Sequence, residues 1–143
     1  MKNIHKVIAL AGLLVLLTFS SALGQSDRQT IVSIPFDFTV AEKTFPAGKY
    51  VIERNKQDSN TVWIIRRADN VAKAMVLTTP VRANETEDTR LVFHRYGDQY
   101  FLSQFWLAGE STGRVLEINN RERALDKSLA EKRQNYVLIE SGR

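Results

Sequence analysis

The chain contains no cysteine. That absence excludes disulfides, thiolate metal ligands, a cysteine nucleophile and lipid attachment at an N-terminal cysteine. Histidine is nearly as scarce, with only His5 and His94. A metal site would have to rely on carboxylates, and Glu85, Glu87 and Asp88 do not follow a calcium-loop spacing. The seven glycines mostly mark turns, and no glycine-rich phosphate-binding motif occurs. Neither a metal nor a cofactor is therefore expected. Charge of one sign is not in large excess either. The whole chain has 20 basic and 16 acidic residues. Without Lys2 and Lys6 of the N-terminal segment, 18 basic residues face 16 acidic ones, a net of +2 with the signs interspersed. That balance argues against nucleic acid as a partner.

The one long apolar run is too short to span a bilayer. Val7 to Phe19 is 13 residues, which as a helix reach roughly 20 Å against a hydrocarbon core of about 30 Å. Lys2 and Lys6 precede the run, and the small residues Ala22 and Gly24 follow at −3 and −1 of a cleavage point before Gln25. This is the three-part pattern of a secretory signal. Residues 1–24 are expected to be removed after Gly24. The remaining 25–143 would be a single secreted or periplasmic domain, not an integral membrane protein.

Val, Ile, Thr and aromatic residues are spread through the rest, which favours strands. In "TIVSIPFDFTV" the apolar residues Val32, Ile34, Phe36, Phe38 and Val40 fall at every second position. The pattern predicts one half-buried strand with Phe36 and Phe38 pointing inward. Pro35 places it at an edge or bends it. Phe45-Pro46-Ala47-Gly48 reads as a type I turn, and Lys49 to Arg54 as the next strand. Further strands are expected over "TVWIIRR", "VAKAMVLTT", both arms of "LVFHRYGDQYFLSQFW", "VLEI" and "NYVLIE", with Pro80 to Asp88 as an acidic loop. Asn119 or Asn120 would cap a helix over "RERALDKSLAEKR". Its Leu125 and Leu129 form a thin apolar stripe, and its interleaved charges read as a solvated face with pairs such as Arg123–Asp126 and Lys127–Glu131. The expected fold class is all-β: a single antiparallel barrel-like or sandwich domain of seven to eight strands with one C-terminal helix.

Residues 91–106 hold the densest chemistry. A two-residue turn at Gly97-Asp98 sets a register that pairs His94 with Phe101, Phe93 with Leu102, Val92 with Ser103 and Leu91 with Gln104. One face then carries Leu91, Phe93, Arg95, Tyr100, Leu102, Gln104 and Trp106. The other carries Val92, His94, Tyr96, Gln99, Phe101, Ser103 and Phe105. Both are rich in apolar residues, so one faces the core and the other is covered by the helix, a loop, a ligand or a partner chain. His94, Tyr96, Phe101 and Phe105 are the candidate binding face. A catalytic His94 would need a serine and a carboxylate converging on it. Ser103 and Asp98 lie nearby, but no nucleophile elbow or oxyanion loop accompanies them. His94 is therefore read as structural, with one hydrogen bond to a neighbour, and no catalytic residue is expected.

The stretches "IPFDFTV", "FPAGKYVI", "LVFHRYGDQYFLSQFW", "GESTGR" and "RERAL" resemble a family of small exported bacterial β-rich proteins. Those proteins carry a VPFDF…LPAG-Y opening and an LVFHRYGD-YFLS-W core. The resemblance runs from about Ile31 to Leu125. It implies export and one domain, and it supplies no catalytic or binding residues to carry over. The expected function is that of a non-enzymatic β-domain binding a protein or cell-envelope partner. The alternative is a lipocalin-like carrier of a small apolar ligand.

Overall fold

A computed structural model of the chain describes residues 29–57, 61–129 and 133–140. The segment 1–24 read as a secretory signal lies outside them. The elements in chain order are β1 (Thr30–Ile34), β2 (Phe38–Val40), β3 (Lys43–Phe45), β4 (Gly48–Arg54), β5 (Val62–Arg67), β6 (Lys73–Arg82), β7 (Thr89–Tyr96), β8 (Gln99–Trp106), β9 (Thr112–Leu116), α1 (Asn120–Leu129) and β10 (Gln134–Glu140). The domain is mostly β with one helix, as its composition suggests. The sheet is open and mixed, whereas a purely antiparallel one was expected, because β2 runs parallel to β8 at Thr39 and Phe101.

The strand over residues 30–40 divides at Pro35. β1 pairs with β4, while β2 turns away to β3 and β8. The inward alternation survives the break: Val32, Ile34, Phe38 and Val40 are all buried. Phe36 sits at the rim. It stacks on Tyr100 at 4.0 Å and meets Phe93 edge to face at 5.1 Å.

Two elements lacked a sequence signal. β2 and β3 form a hairpin whose two-residue turn, Ala41-Glu42, has φ of 47° and 65°. Such a turn favours Asn-Gly, and Ala-Glu gives no hint of it. β6 runs on through Pro80 to Arg82, where a loop was expected. Its first half pairs with β5, ending at Leu77 opposite Val62, and its second half pairs with β9. Beyond Leu77 the edge towards β5 has no ladder, so Pro80 has no strand partner to disappoint on that side.

The sheet path runs β1-β4-β5-β6-β9-β8, then to β7 and β10 on one edge of β8 and to β2 and β3 on the other. The end strands β1 and β10 meet where the Ser33 N–H donates to the Glu140 carboxylate at 3.3 Å. Inward positions supply one core that includes Phe38, Phe45, Tyr50, Trp63, Leu91, Phe93, Leu102 and Phe105. Each large apolar side chain so buried contributes on the order of 1.5–3 kcal/mol. The Tyr50 hydroxyl is satisfied at the core's edge by the Pro46 carbonyl.

Candidate functional site

The site is built on the β7–β8 hairpin, whose register changes halfway along. From the Gly97-Asp98 turn outward the pairing is the expected one as far as Phe93 opposite Leu102. A β-bulge follows, and Val92 then faces Gln104, Leu91 faces Phe105 and Arg90 faces Trp106. Ser103 is the extra residue. A bulge reverses the facing of everything beyond it. Phe105, expected beside His94, therefore enters the core and meets Trp63 edge to face at 5.0 Å. Trp106 moves to the outer face, where Arg90 lies over its ring at 5.6 Å. Gly113 faces the same indole, and a Cβ there would lie 2.4 Å from it. The rim pair of Arg95 and Tyr100 is found as the register requires, with the guanidinium 5.5 Å from the ring.

Of the candidate face, His94, Tyr96 and Phe101 remain together, and Tyr96 and Phe101 are buried. Tyr96 packs edge to face on Phe101 at 5.8 Å. The cover is α1. Asn119 caps the helix by accepting the Glu122 N–H at 2.7 Å, the side-chain cap expected of an N-cap asparagine. Asn120 N–H donates to Glu42 at 2.8 Å, which ties the helix start to the Ala41-Glu42 turn. This contact gives the left-handed turn a purpose. The helix presents Glu122, Leu125, Asp126 and Leu129 inward at helical spacing, and Ala124 is exposed.

Glu122 is the residue the sequence reading missed. It was placed among the solvated charges of the helix, yet it is only 3% exposed. Its carboxylate accepts from His94 Nδ1 at 2.5 Å and from the Tyr96 hydroxyl at 3.4 Å. The other imidazole nitrogen, Nε2, lies 3.0 Å from Ser103 Oγ. The Tyr96 hydroxyl also donates to Asp126 at 3.0 Å, and Asp126 pairs with Arg133 at 3.2 Å. That pairing replaces the expected Arg123–Asp126 contact, while Glu131 lies outside the described residues. Asp98 stays exposed in the hairpin turn.

Burying a carboxylate is costly unless donors replace its water. Glu122 has two. Burial, with Asp126 and Glu122 adding to it, pushes the Tyr96 phenol up to about 12, so the hydroxyl remains a donor throughout the neutral range. With Nδ1–H donating to Glu122, His94 Nε2 is free to accept from Ser103. Serine, imidazole and carboxylate thus stand in the order of a Ser-His-acid relay. Ser103 itself is 6% exposed, and it lies on a strand bulge and not on a strand-to-helix elbow.

Among the described residues, no cluster of three or more metal-ligating side chains occurs, and no helix is long and apolar enough to cross a membrane. No family model, curated protein or solved structure matches the chain.

Proposed function

We propose that the protein is an exported, non-enzymatic β-domain that binds a protein partner of the cell envelope through the outer face of β5 and β6. The observation that carries this reading is the exposure of Met75 and Leu77, at 55% and 61%. They stand opposite Ile64 and Val62 on the neighbouring strand, both half-buried. Contiguous apolar surface of this kind marks interaction sites. Beside it lies a hollow of about 230 Å³ lined by Ala41, Met75, Leu77, Leu116, Glu117 and Asn119. Its floor suits an apolar anchor, and its rim offers acceptors to a donor on the partner. Met75 also borders a second hollow with Glu53, Arg54 and Ile64, and a flexible thioether adapts to irregular surfaces. The face first picked from sequence, around His94, is covered by α1 and does not serve this role. Ring-to-ring packing of Phe38, Phe45 and Tyr50 in the core supports a partner-binding domain over a carrier with an apolar ligand inside.

The test compares envelope proteins cross-linked to the native chain and to Met75→Lys/Leu77→Lys. A defined partner captured by the first and lost by the second, with melting curves unchanged, supports the proposal. Equal capture sinks it, and a cross-link only between copies of the chain reassigns the face to self-association. Export is tested by N-terminal sequencing of the processed protein, expected to begin at Gln25.

A serine hydrolase is the second reading, favoured by the Ser103–His94–Glu122 relay alone. Covalent labelling of Ser103 by a fluorophosphonate, abolished in His94→Gln, would support it. The burial of Ser103 favours the first reading, in which the relay fastens the helix to the sheet.

A further inference from the structure

Three buried side-chain nitrogens among the described residues have no hydrogen-bond partner: Nε1 of Trp63 and Nε and Nη1 of Arg114. All three are donors, and none accepts. Arg114 is 5% exposed and Trp63 is 2% exposed. The Arg114 guanidinium lies 5.3 Å from the Trp63 ring centroid, and the Arg54 guanidinium lies 5.4 Å from the same centroid. Two cations therefore share one indole at the end of the core, where β4 stops and Arg114 pairs with Phe105 and Pro80. An indole face attracts a cation, but it cannot satisfy N–H groups that lie in the plane of a guanidinium.

Burial is the main influence acting against the Arg114 cation, Arg54 adds to it, and Glu110 offsets this only in part. Arginine does not escape such a setting by deprotonation. A buried cation with unpaired donors is a costly arrangement that persists where something supplies the missing charge. Ordered water would fill the hydrogen bonds and leave the charge uncompensated. An oxyanion answers both needs, since its oxygens accept several N–H bonds and it carries the opposite sign.

We propose that Arg114, Trp63 and Arg54 form a binding site for a small oxyanion, a carboxylate or phosphate group, held by Arg114 Nε and Nη1 and by Trp63 Nε1. The site is independent of the Met75–Leu77 face and of the His94 relay. It lies against the aromatic end of the core, so its ligand is a small group and not a long apolar tail.

The direct readout is the indole N–H resonance of Trp63 in the purified, isotope-labelled protein, told apart from that of Trp106 by a Trp106→Phe variant. Sodium acetate and sodium phosphate are titrated separately against sodium chloride at constant ionic strength. The Trp63 resonance should move saturably in the millimolar range or below, while that of Trp106 stays still. A response to acetate alone identifies a carboxylate site, a response to phosphate alone identifies a phosphate site, and either supports the proposal. Arg114→Met, which keeps volume and removes the donors, should abolish the response. If that variant does not fold, Arg54→Gln should weaken the midpoint several-fold in a folded protein. A Trp63 resonance indifferent to both anions, or one that follows chloride equally, overturns the proposal, as does a response that survives in Arg114→Met.

Discussion

Glu122 and His94 are 28 residues apart in the chain, and their side chains meet at 2.5 Å. The contact joins the first turn of α1 to the middle of β7. It places a buried acid against the one imidazole in the described residues and holds that ring so that its far nitrogen reaches Ser103. The hydrogen bond to a neighbour expected for a structural His94 is thus two hydrogen bonds, one of them to a distant helix.

Breaking this contact should loosen the helix without unfolding the sheet. His94→Gln and Glu122→Gln are each expected to lower stability by about 1–3 kcal/mol, the usual cost of disturbing a buried polar group. Because the two side chains touch, their effects should not add: a double-mutant cycle should give a coupling above roughly 0.5 kcal/mol. Additive losses in denaturant unfolding would show that the two residues act separately.

The Tyr96 phenol supplies a pH dependence. Its ordinary value is 10.0, and in the fold it stands at about 12. Between these values the unfolded chain releases the proton and the folded chain retains it. The contribution is therefore complete below pH 10 and is lost as the pH rises towards 12. A two-unit shift corresponds to about 2.7 kcal/mol at most. The network's outer end is partly exposed, with Asp126 at 33% and Arg133 at 41%, so screening reduces this to about 1–2 kcal/mol. In Tyr96→Phe the stability difference between pH 9 and pH 11.5 should shrink by that amount; an unchanged difference would assign the alkaline loss elsewhere.

The two phenylalanines around the β1–β2 break should differ. Phe38 is fully enclosed by Phe45, Tyr50 and Phe93, and Phe38→Ala is expected to cost about 3–5 kcal/mol. Phe36 lies half-buried at the rim between Tyr100 and Tyr136. Its partial exposure brings Phe36→Ala to about 2 kcal/mol, less than full inward burial would require. Equal losses in urea unfolding would mean that the strand does not break at Pro35.

Ala41 adopts φ 47° in the β2–β3 turn, a conformation that disfavours residues with a Cβ. Ala41→Asn should raise stability by about 0.5–1 kcal/mol, because asparagine tolerates the left-handed region better. A fall in melting temperature would show that the Ala41 methyl, which borders the Met75–Leu77 hollow, contributes more by packing than it costs in strain.

The sequence by itself determined the strand-rich class, most strand positions, the Gly97-Asp98 turn, the helix with its asparagine cap and the inward alternation of Val32, Ile34, Phe38 and Val40. Each of these rests on a local rule: a period of two, a turn glycine, a capping side chain. Tertiary structure decided what local rules do not encode. The bulge at Ser103 is one residue of pairing mismatch, settled by β8 having to serve β7 on one edge and β2 and β9 on the other. It alone moved Phe105 into the core and Trp106 out of it. The Ala41-Glu42 turn carries no turn residue and is held by the helix start it contacts. Glu122 looks like any surface glutamate in its helix, and only the docking of α1 on β7 buries it beside His94 and Tyr96. Arg114 reads as an ordinary strand arginine until the pairing of β9 with β8 and β6 turns it towards Trp63. Long-range pairing assigns each of these side chains its surroundings, and no window of sequence contains the partner.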